Sequence, residues 1–277
     1  MKCRIVADSS ANVYERDGVD FVSVPLKIVT AEREYEDIKG TDIAEMLSYL
    51  QDYGGKSGTH CPKVLDWTEA FGDADLILGV TITSGLSGSF AAAMKAKVDY
   101  ESAHRDANVL IVDSLSAGPE LELIIEKMEE VINSEMTFKE MTKVITDYCQ
   151  TTHTLFSLKN LDNLARNKRV SPAAARIASI LGVRIVGKAN SQGALQSLHK
   201  CRGDAQSVTF IFEEMQNHGY KGGKVRLAHC FNPQIAEELS DTVHKSYPDA
   251  DVRITTCTAL CSFYAEKGGL MVGYESE

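Results

Sequence analysis

Apolar and polar positions fall into short alternating blocks along the chain. Leu76-Ile77-Leu78-Gly79-Val80 and Val109-Leu110-Ile111-Val112 are unbroken apolar runs of strand length, the signature of strands buried on both faces of a parallel sheet. Cys3-Arg4-Ile5-Val6-Ala7 reads as a third strand. Between them, apolar residues recur at helical spacing: at 43, 46, 47 and 50 behind a Thr41-Asp42 start, in 64–71 behind Pro62, and among the small residues after Gly88. Residues 121–133 and 138–150 are amphipathic helices. Residues 22–29 alternate like one strand, with Pro25 marking an edge or a bulge, and the acidic stretch 32–37 reads as a solvated turn. Past residue 150 the pattern predicts strands at 154–158, 183–186, 224–230 and 252–256. It predicts helices at 161–171, 173–181, 207–218 and 233–247, with a turn at 191–193. The fold class is therefore α/β, with two α/β domains, 1–150 and 151–277. The first holds a mostly parallel, Rossmann-like sheet and the second a smaller mixed one.

Polar residues concentrate where the strands of the first domain end. Asp8-Ser9-Ser10 follows the first strand, Thr81, Thr83, Ser84, Ser87 and Ser89 follow the second, and Asp113-Ser114-Leu115-Ser116 follows the third. In a parallel sheet these three ends share one carboxyl edge, where α/β proteins place their ligands. The segment 76–93 admits two readings. Its hydroxyls and the tight turns at Gly85 and Gly88 make a seat for a carboxylate or phosphate at a helix N-terminus, or they cap an ordinary core helix. Asp8 likewise either caps a turn or accepts hydrogen bonds from these hydroxyls.

Composition narrows the chemistry. A formal charge of −10 opposes nucleic acid as a main partner. Asp8 interrupts the N-terminus before a signal-peptide core forms, and no apolar run is long enough to span a membrane. Seven dispersed cysteines suit a reducing, cytoplasmic setting and no disulfide framework. Neither a Walker A loop nor a G-x-G-x-x-G fingerprint is present. Cys257, Cys261, His229 and Cys230 lack a second pair at zinc spacing, so no metal or cofactor is expected. An acyl hydrolase using Ser87 or Cys61 is the competing enzyme reading, weakened because Gly85-Leu86-Ser87-Gly88-Ser89 misplaces the second glycine of a nucleophile elbow. Binding of another carboxylate metabolite is the third. Basic residues gather at Arg166, Lys168 and Arg169 and again at Lys200 and Arg202, as contacts for an acidic partner or a membrane surface, or as cations at exposed helix ends.

These pieces together resemble the DegV family of bacterial lipid-binding proteins across nearly the whole chain. Asp8-Ser9-Ser10 matches its opening D-S-S, Val24-Pro25-Leu26 the segment after it, and Thr83-Ser84-Gly85-Leu86-Ser87-Gly88-Ser89 its S-S-G-L-S-G-T. Asp113-Ser114 matches a further D-S, Leu161-Asp162-Asn163-Leu164 with Arg169-Val170-Ser171 its L-D-x-L and G-R-I-S, and Lys200-Cys201-Arg202-Gly203 its basic segment. The resemblance implies one long-chain fatty acid held between the two domains, with no other cofactor and no catalysis by this chain. It also implies a separate fatty-acid kinase as partner and a transient membrane contact. Carried over, the carboxylate site is Ser57, Thr83, Ser84 and Tyr264. Asp8, Ser9, Ser10, Ser87, Asp113 and Ser114 form a supporting polar rim, and Arg169, Lys200 and Arg202 form the partner or membrane contact. Ser57 stands at the threonine of the family's T-S-x-P-S-P loop, and Tyr264 replaces the histidine of its H-x-G-P-G segment.

Overall fold

The computed structural model describes residues 2–171 and 182–277; the helix expected at 173–181 lies outside them. The first sheet is built as the apolar runs require. β1 (Cys3–Asp8), β6 (Leu76–Thr81) and β7 (Asn108–Asp113) lie side by side and parallel, with β2 (Phe21–Val24) outside β1. Every residue of β6 is buried. Helices α2 (Val64–Phe71) and α3 (Ser89–Ala103) cover one face through Trp67, Phe71, Ala93, Ala96 and Tyr100. Helices α4 (Pro119–Ile132) and α5 (Phe138–Tyr148) cover the other through Leu121, Ile124, Ile125, Met128, Met141 and Ile145.

The alternating stretch 22–29 is not one strand. Proline removes a donor and breaks the ladder at Pro25, so the chain leaves the parallel sheet after β2. It then enters a small antiparallel sheet, β4-β3-β5, of β3 (Lys27–Val29), β4 (Glu34–Glu36) and β5 (Gly58–His60). The acidic turn expected at 32–37 thus contains β4, whose two glutamates point to solvent and pair with Lys27. Helix α1 (Ile43–Asp52) begins as expected, with the Asp42 side chain accepting from the Glu45 N–H.

The second sheet is larger than the first, contrary to the sequence reading. Six strands run in the order β10-β9-β8-β13-β11-β12, with β8 (Thr152–Leu158), β9 (Val183–Ala189), β10 (Leu195–Arg202), β11 (Val225–His229), β12 (Val252–Thr256) and β13 (Leu270–Glu275). Only β11 and β12 pair parallel. The two added strands carry weak local signals. β10 is a polar edge strand with a register shift between Ser197 and His199. β13 holds a glycine at 273 and is strand-like because β8 and β11 flank it on both sides. Completing this half are α6 (Asp162–Arg166), α7 (Gly203–Asn217), α8 (Pro233–Ser246) and α9 (Ala259–Ala265).

Helix α4 is the layer between the two sheets. It packs on β1 and β6 on one side and on β8, β11 and β13 on the other; a Cβ at Gly273 would stand 2.4 Å from the Glu120 nitrogen. Being buried on both sides, the helix must satisfy its own carboxylates. Glu126 forms a paired interaction with the Arg226 guanidinium (2.7 and 2.8 Å), and Arg226 also holds Asp251 at 2.7 Å. Burial works against the Glu126 charge, but the arginine holds that carboxyl below its usual range. Glu120 meets only hydroxyl partners, Thr152 donating at 2.9 Å. Burial therefore pushes its pKa from 4.5 up to about 7.

The start of the last helix is held to the first half by Asn12 and Asp37. Asn12, in the left-handed region at φ 64°, donates to the Thr256 carbonyl (3.0 Å) and accepts from the Thr258 N–H (2.7 Å). The buried carboxylate of Asp37 sits at the N-terminus of α9, accepting from the Ala259 N–H at 2.7 Å and from the Tyr14 hydroxyl at 2.6 Å.

Two predictions come from these buried groups. The neutral form of Glu120 contributes stability that is fully present below about pH 4.5 and is lost as pH rises through about 7, on the order of 3 kcal/mol. Glu120→Gln, neutral throughout, should be more stable than the parent at pH 8 and not at pH 4.5 when both are unfolded in urea. An equal loss at both pH values would contradict the assignment. Asn12→Ala removes three inter-half hydrogen bonds and places a Cβ residue without a polar side chain at positive φ, so urea unfolding should show a loss of about 2–4 kcal/mol.

Candidate functional site

The three polar strand ends meet at one edge, and they are occupied with one another. The Asp8 carboxylate is fully buried; it accepts from the Ile82 N–H (3.0 Å), the Ser89 hydroxyl (2.6 Å) and the Ser10 hydroxyl. Burial raises its pKa, and these donors oppose the rise. Ser9 accepts from the Leu26 N–H at 3.0 Å. Asp113 accepts from the N–H groups of Ser84 (3.0 Å) and Leu115 (3.2 Å). The Ser114 hydroxyl closes a local turn onto Ser116, and Thr83 accepts from the Gly85 N–H at 3.1 Å. An edge with so many orphan donors is satisfied here by side chains of its own chain.

Beside this edge lies a cavity of about 160 Å³, on a scale where one water needs about 10–15 Å³. Its apolar wall draws on both halves, with Leu26, Ile82 and Leu86 from the first and Phe156, Leu164 and Met271 from the second. Its polar atoms are few. Thr59 and Tyr264 face each other with their hydroxyl oxygens 2.7 Å apart, Ser10 and Ser87 add two more hydroxyls, and Arg169 enters from the second half. Ile28 and Thr59 are paired across β3 and β5, so both point to one face. That face packs on α9, where Ile28 touches Phe263 and Thr59 reaches Tyr264. Burial raises the Tyr264 hydroxyl above its ordinary pKa, with the Arg169 charge working the other way; the tyrosine is a proton donor at neutral pH. Arg169 is set by its N–H bond to the Leu164 carbonyl (2.7 Å) and donates to the Asn167 carbonyl. Among the described residues it has no carboxylate within ion-pair distance.

The residues named from the sequence therefore separate. Tyr264, Ser10, Ser87 and Arg169 stand on the cavity wall. Thr83 is buried, its hydroxyl accepting within its own turn, and Ser84 faces solvent; neither lines the cavity. Ser57 lies in a neighbouring depression with Arg166 and Asn167, its carbonyl accepting from the Asn167 amide at 3.4 Å. Asp8, Ser9, Asp113 and Ser114 support the edge without lining the cavity. Lys200 and Arg202 are exposed on β10, apart from the wall that Arg169 joins. Thr59 is the wall residue the sequence reading passed over. Aligning the first proline of T-S-x-P-S-P with Pro62, in place of the last, puts the motif's threonine at Thr59.

Among the described residues the wall carries two thiols, Cys61 and Cys261, and no histidine. Burial raises the Cys261 thiol strongly, and it donates to the Ser10 carbonyl at 3.6 Å. Among the described residues neither Ser87 nor Cys61 has a hydrogen bond to a general base, which activates a nucleophile for covalent acyl chemistry. The arrangement can hold an amphiphile that is apolar along most of its length and anionic at one end.

Known proteins of this architecture carry such molecules. A DegV domain-containing protein of Streptococcus pneumoniae serotype 4 is 38% identical over 279 residues, spanning 99% of each chain. The crystal structure of a DegV family protein from Eubacterium eligens loaded with heptadecanoic acid matches with a TM-score of 0.97 at 39% identity, covering 99% of this chain and 100% of that one. The Streptococcus pneumoniae fatty acid kinase (Fak) B3 protein loaded with linoleic acid matches with a TM-score of 0.98 at 37% identity over 100% of both chains. The family model described as "Uncharacterised protein, DegV family" matches residues 2–277, so with these relatives alongside it the chain belongs to the DegV family.

Proposed function

We propose that this protein binds one long-chain fatty acid in the cavity between its two sheets and presents it to a separate fatty-acid kinase. The observation that carries this reading is the pairing of an apolar cavity with one polar corner, where the Thr59 and Tyr264 hydroxyls lie beside a guanidinium that has no carboxylate partner among the described residues. The heptadecanoic and linoleic acids in the two related structures support the ligand class. The bound carboxylate accepts from Thr59 and Tyr264 and faces Arg169, with Ser87 as a further donor; the Ser10 hydroxyl is held by Asp8. Ser57, Thr83 and Ser84 act on the surrounding loops and not on the ligand.

The energetics set the division of labour. Burial of a methylene contributes about 0.8 kcal/mol, so a tail of about sixteen carbons outweighs any headgroup contact. The hydroxyls and Arg169 offset the desolvation of the carboxylate and fix which end points where. In this reading the chain works as two domains, 1–150 and 151–277, each supplying one wall. The exposed Lys200 and Arg202 serve an acidic partner or a membrane surface. Among the described residues no helix is long and apolar enough to cross a membrane. The reduced cysteines suit the cytoplasm.

Mass spectrometry of an organic extract from the purified protein should show about one equivalent of a long-chain fatty acid; no fatty acid and no uptake on adding one would overturn the reading. Removing one hydroxyl that serves a buried carboxylate costs roughly 1–3 kcal/mol. Thr59→Val and Tyr264→Phe should each weaken retention by that amount in a fluorescent fatty-acid displacement assay, whereas Ser84→Ala should leave it unchanged. Loss of retention in the Ser84 variant alone would move the headgroup site back to the strand end.

A further inference from the structure

The β9–β10 hairpin of the second half ends in a tight turn built on Asn190. The Asn190 side chain accepts from the N–H groups of Gln192 (2.9 Å) and Ala194 (3.0 Å), and its backbone pairs with Ala194 and Gly193 at 2.8 Å each. This stiff tip rests on the turn after β6 in the first half. Gly193, at φ +69°, lies so close that a Cβ there would stand 1.8 Å from the Thr83 hydroxyl and 3.1 Å from the Leu115 Cα. A Cβ at Gly85 would meet the Gln192 carbonyl at 2.6 Å. At these two glycines the approach is to backbone atoms and to the Thr83 side chain. Among the described residues no hydrogen bond crosses it.

The seam borders the cavity on both sides. Ile82 precedes the Thr83–Gly85 turn and Leu86 follows it, and both line the cavity; Leu195, two residues past Gly193, lines it from the hairpin. Parting these walls widens the way into that space for a long amphiphile. A junction that shares no hydrogen bonds opens more readily than one that does. Elsewhere the halves are joined by the Glu126–Arg226 pair and by the Asn12 and Asp37 pins.

We propose that the β9–β10 hairpin is a flap that closes the acyl cavity by seating its tip on the Thr83–Gly85 turn, and that Gly193 is the residue that lets it shut. The proposal rests on the fatty-acid reading above. It also gives the hydroxyl-rich turn a role that its distance from the ligand leaves open. Thr83 shapes the seat on which the flap lands.

The test follows release of cis-parinaric acid, a fluorescent fatty acid, into excess unlabelled oleate. Gly193→Ala holds the seam apart, and release should become about ten-fold faster or more. Gly18→Ala is the control, since Gly18 also lies at positive φ (+81°) with no atom near its Cβ; its release should match the parent. Thr83→Gly combined with Gly193→Ala restores the space and should return release toward the parent rate. Parent protein that binds parinaric acid, with Gly193→Ala no faster than Gly18→Ala, overturns the flap alone. A parent that takes up no parinaric acid overturns the fatty-acid reading and the flap with it. Should Gly193→Ala fail to fold, hydrogen exchange on the parent decides. Residues 83–87 and 190–195 must exchange more slowly with oleate bound, and equal exchange in both states rejects the proposal.

Discussion

The structure depends on a helix that is buried on both sides. α4 separates the two sheets by one helix layer, and its first eight residues, from Pro119 through Glu126, are all buried. A helix in that position sets the spacing of the two sheets. Where α4 begins at Pro119 the layer stops while the sheets continue. Ala117, Ser10, Ile82 and Met271 line the gap beyond its N-terminus. The cavity is a geometric consequence of the helix's starting point. Three glutamates on so buried a helix are tolerated because Arg226 and Arg16 reach Glu126 and Glu122 and Thr152 reaches Glu120.

The polar corner of that gap is assembled from distant pieces. Thr59 comes from a three-stranded sheet inserted in the first half, Tyr264 from the penultimate element of the chain, and Arg169 from the loop after α6. Asn12 and Asp37 help bring them together. These hold the start of α9 against the first half and so fix the rotation of the helix that carries Tyr264. The strand-end hydroxyls are spent on stitching β1, β6 and β7 together. An α/β edge rich in donors can serve a ligand or serve itself, and here most of it does the latter.

Much of this was legible in the residues alone. The apolar runs at 76–80 and 109–112 have one stable environment, the middle of a covered parallel sheet. Helix starts such as Asp42 follow from capping chemistry that acts within one turn. Local physics of this kind acts over a few residues, so periodicity and caps report it faithfully. The ordered motifs added the family, and with it Tyr264 and the expectation of a site between two halves.

Tertiary structure decided the rest, because the deciding interactions join residues far apart in sequence. β13 is a central strand of the second sheet only because β8 and β11 enclose it; its own residues, with Gly273 among them, do not declare it. Thr59 became a wall residue through its register opposite Ile28, and Ser57, two positions earlier, fell outside the cavity. The chain by itself determined which segments are buried, where helices start and which residue types can hold a carboxylate. Only the packing of two sheets across one helix decided which of those hydroxyls look into the gap, since facing is set by contacts that exist only once the halves have met.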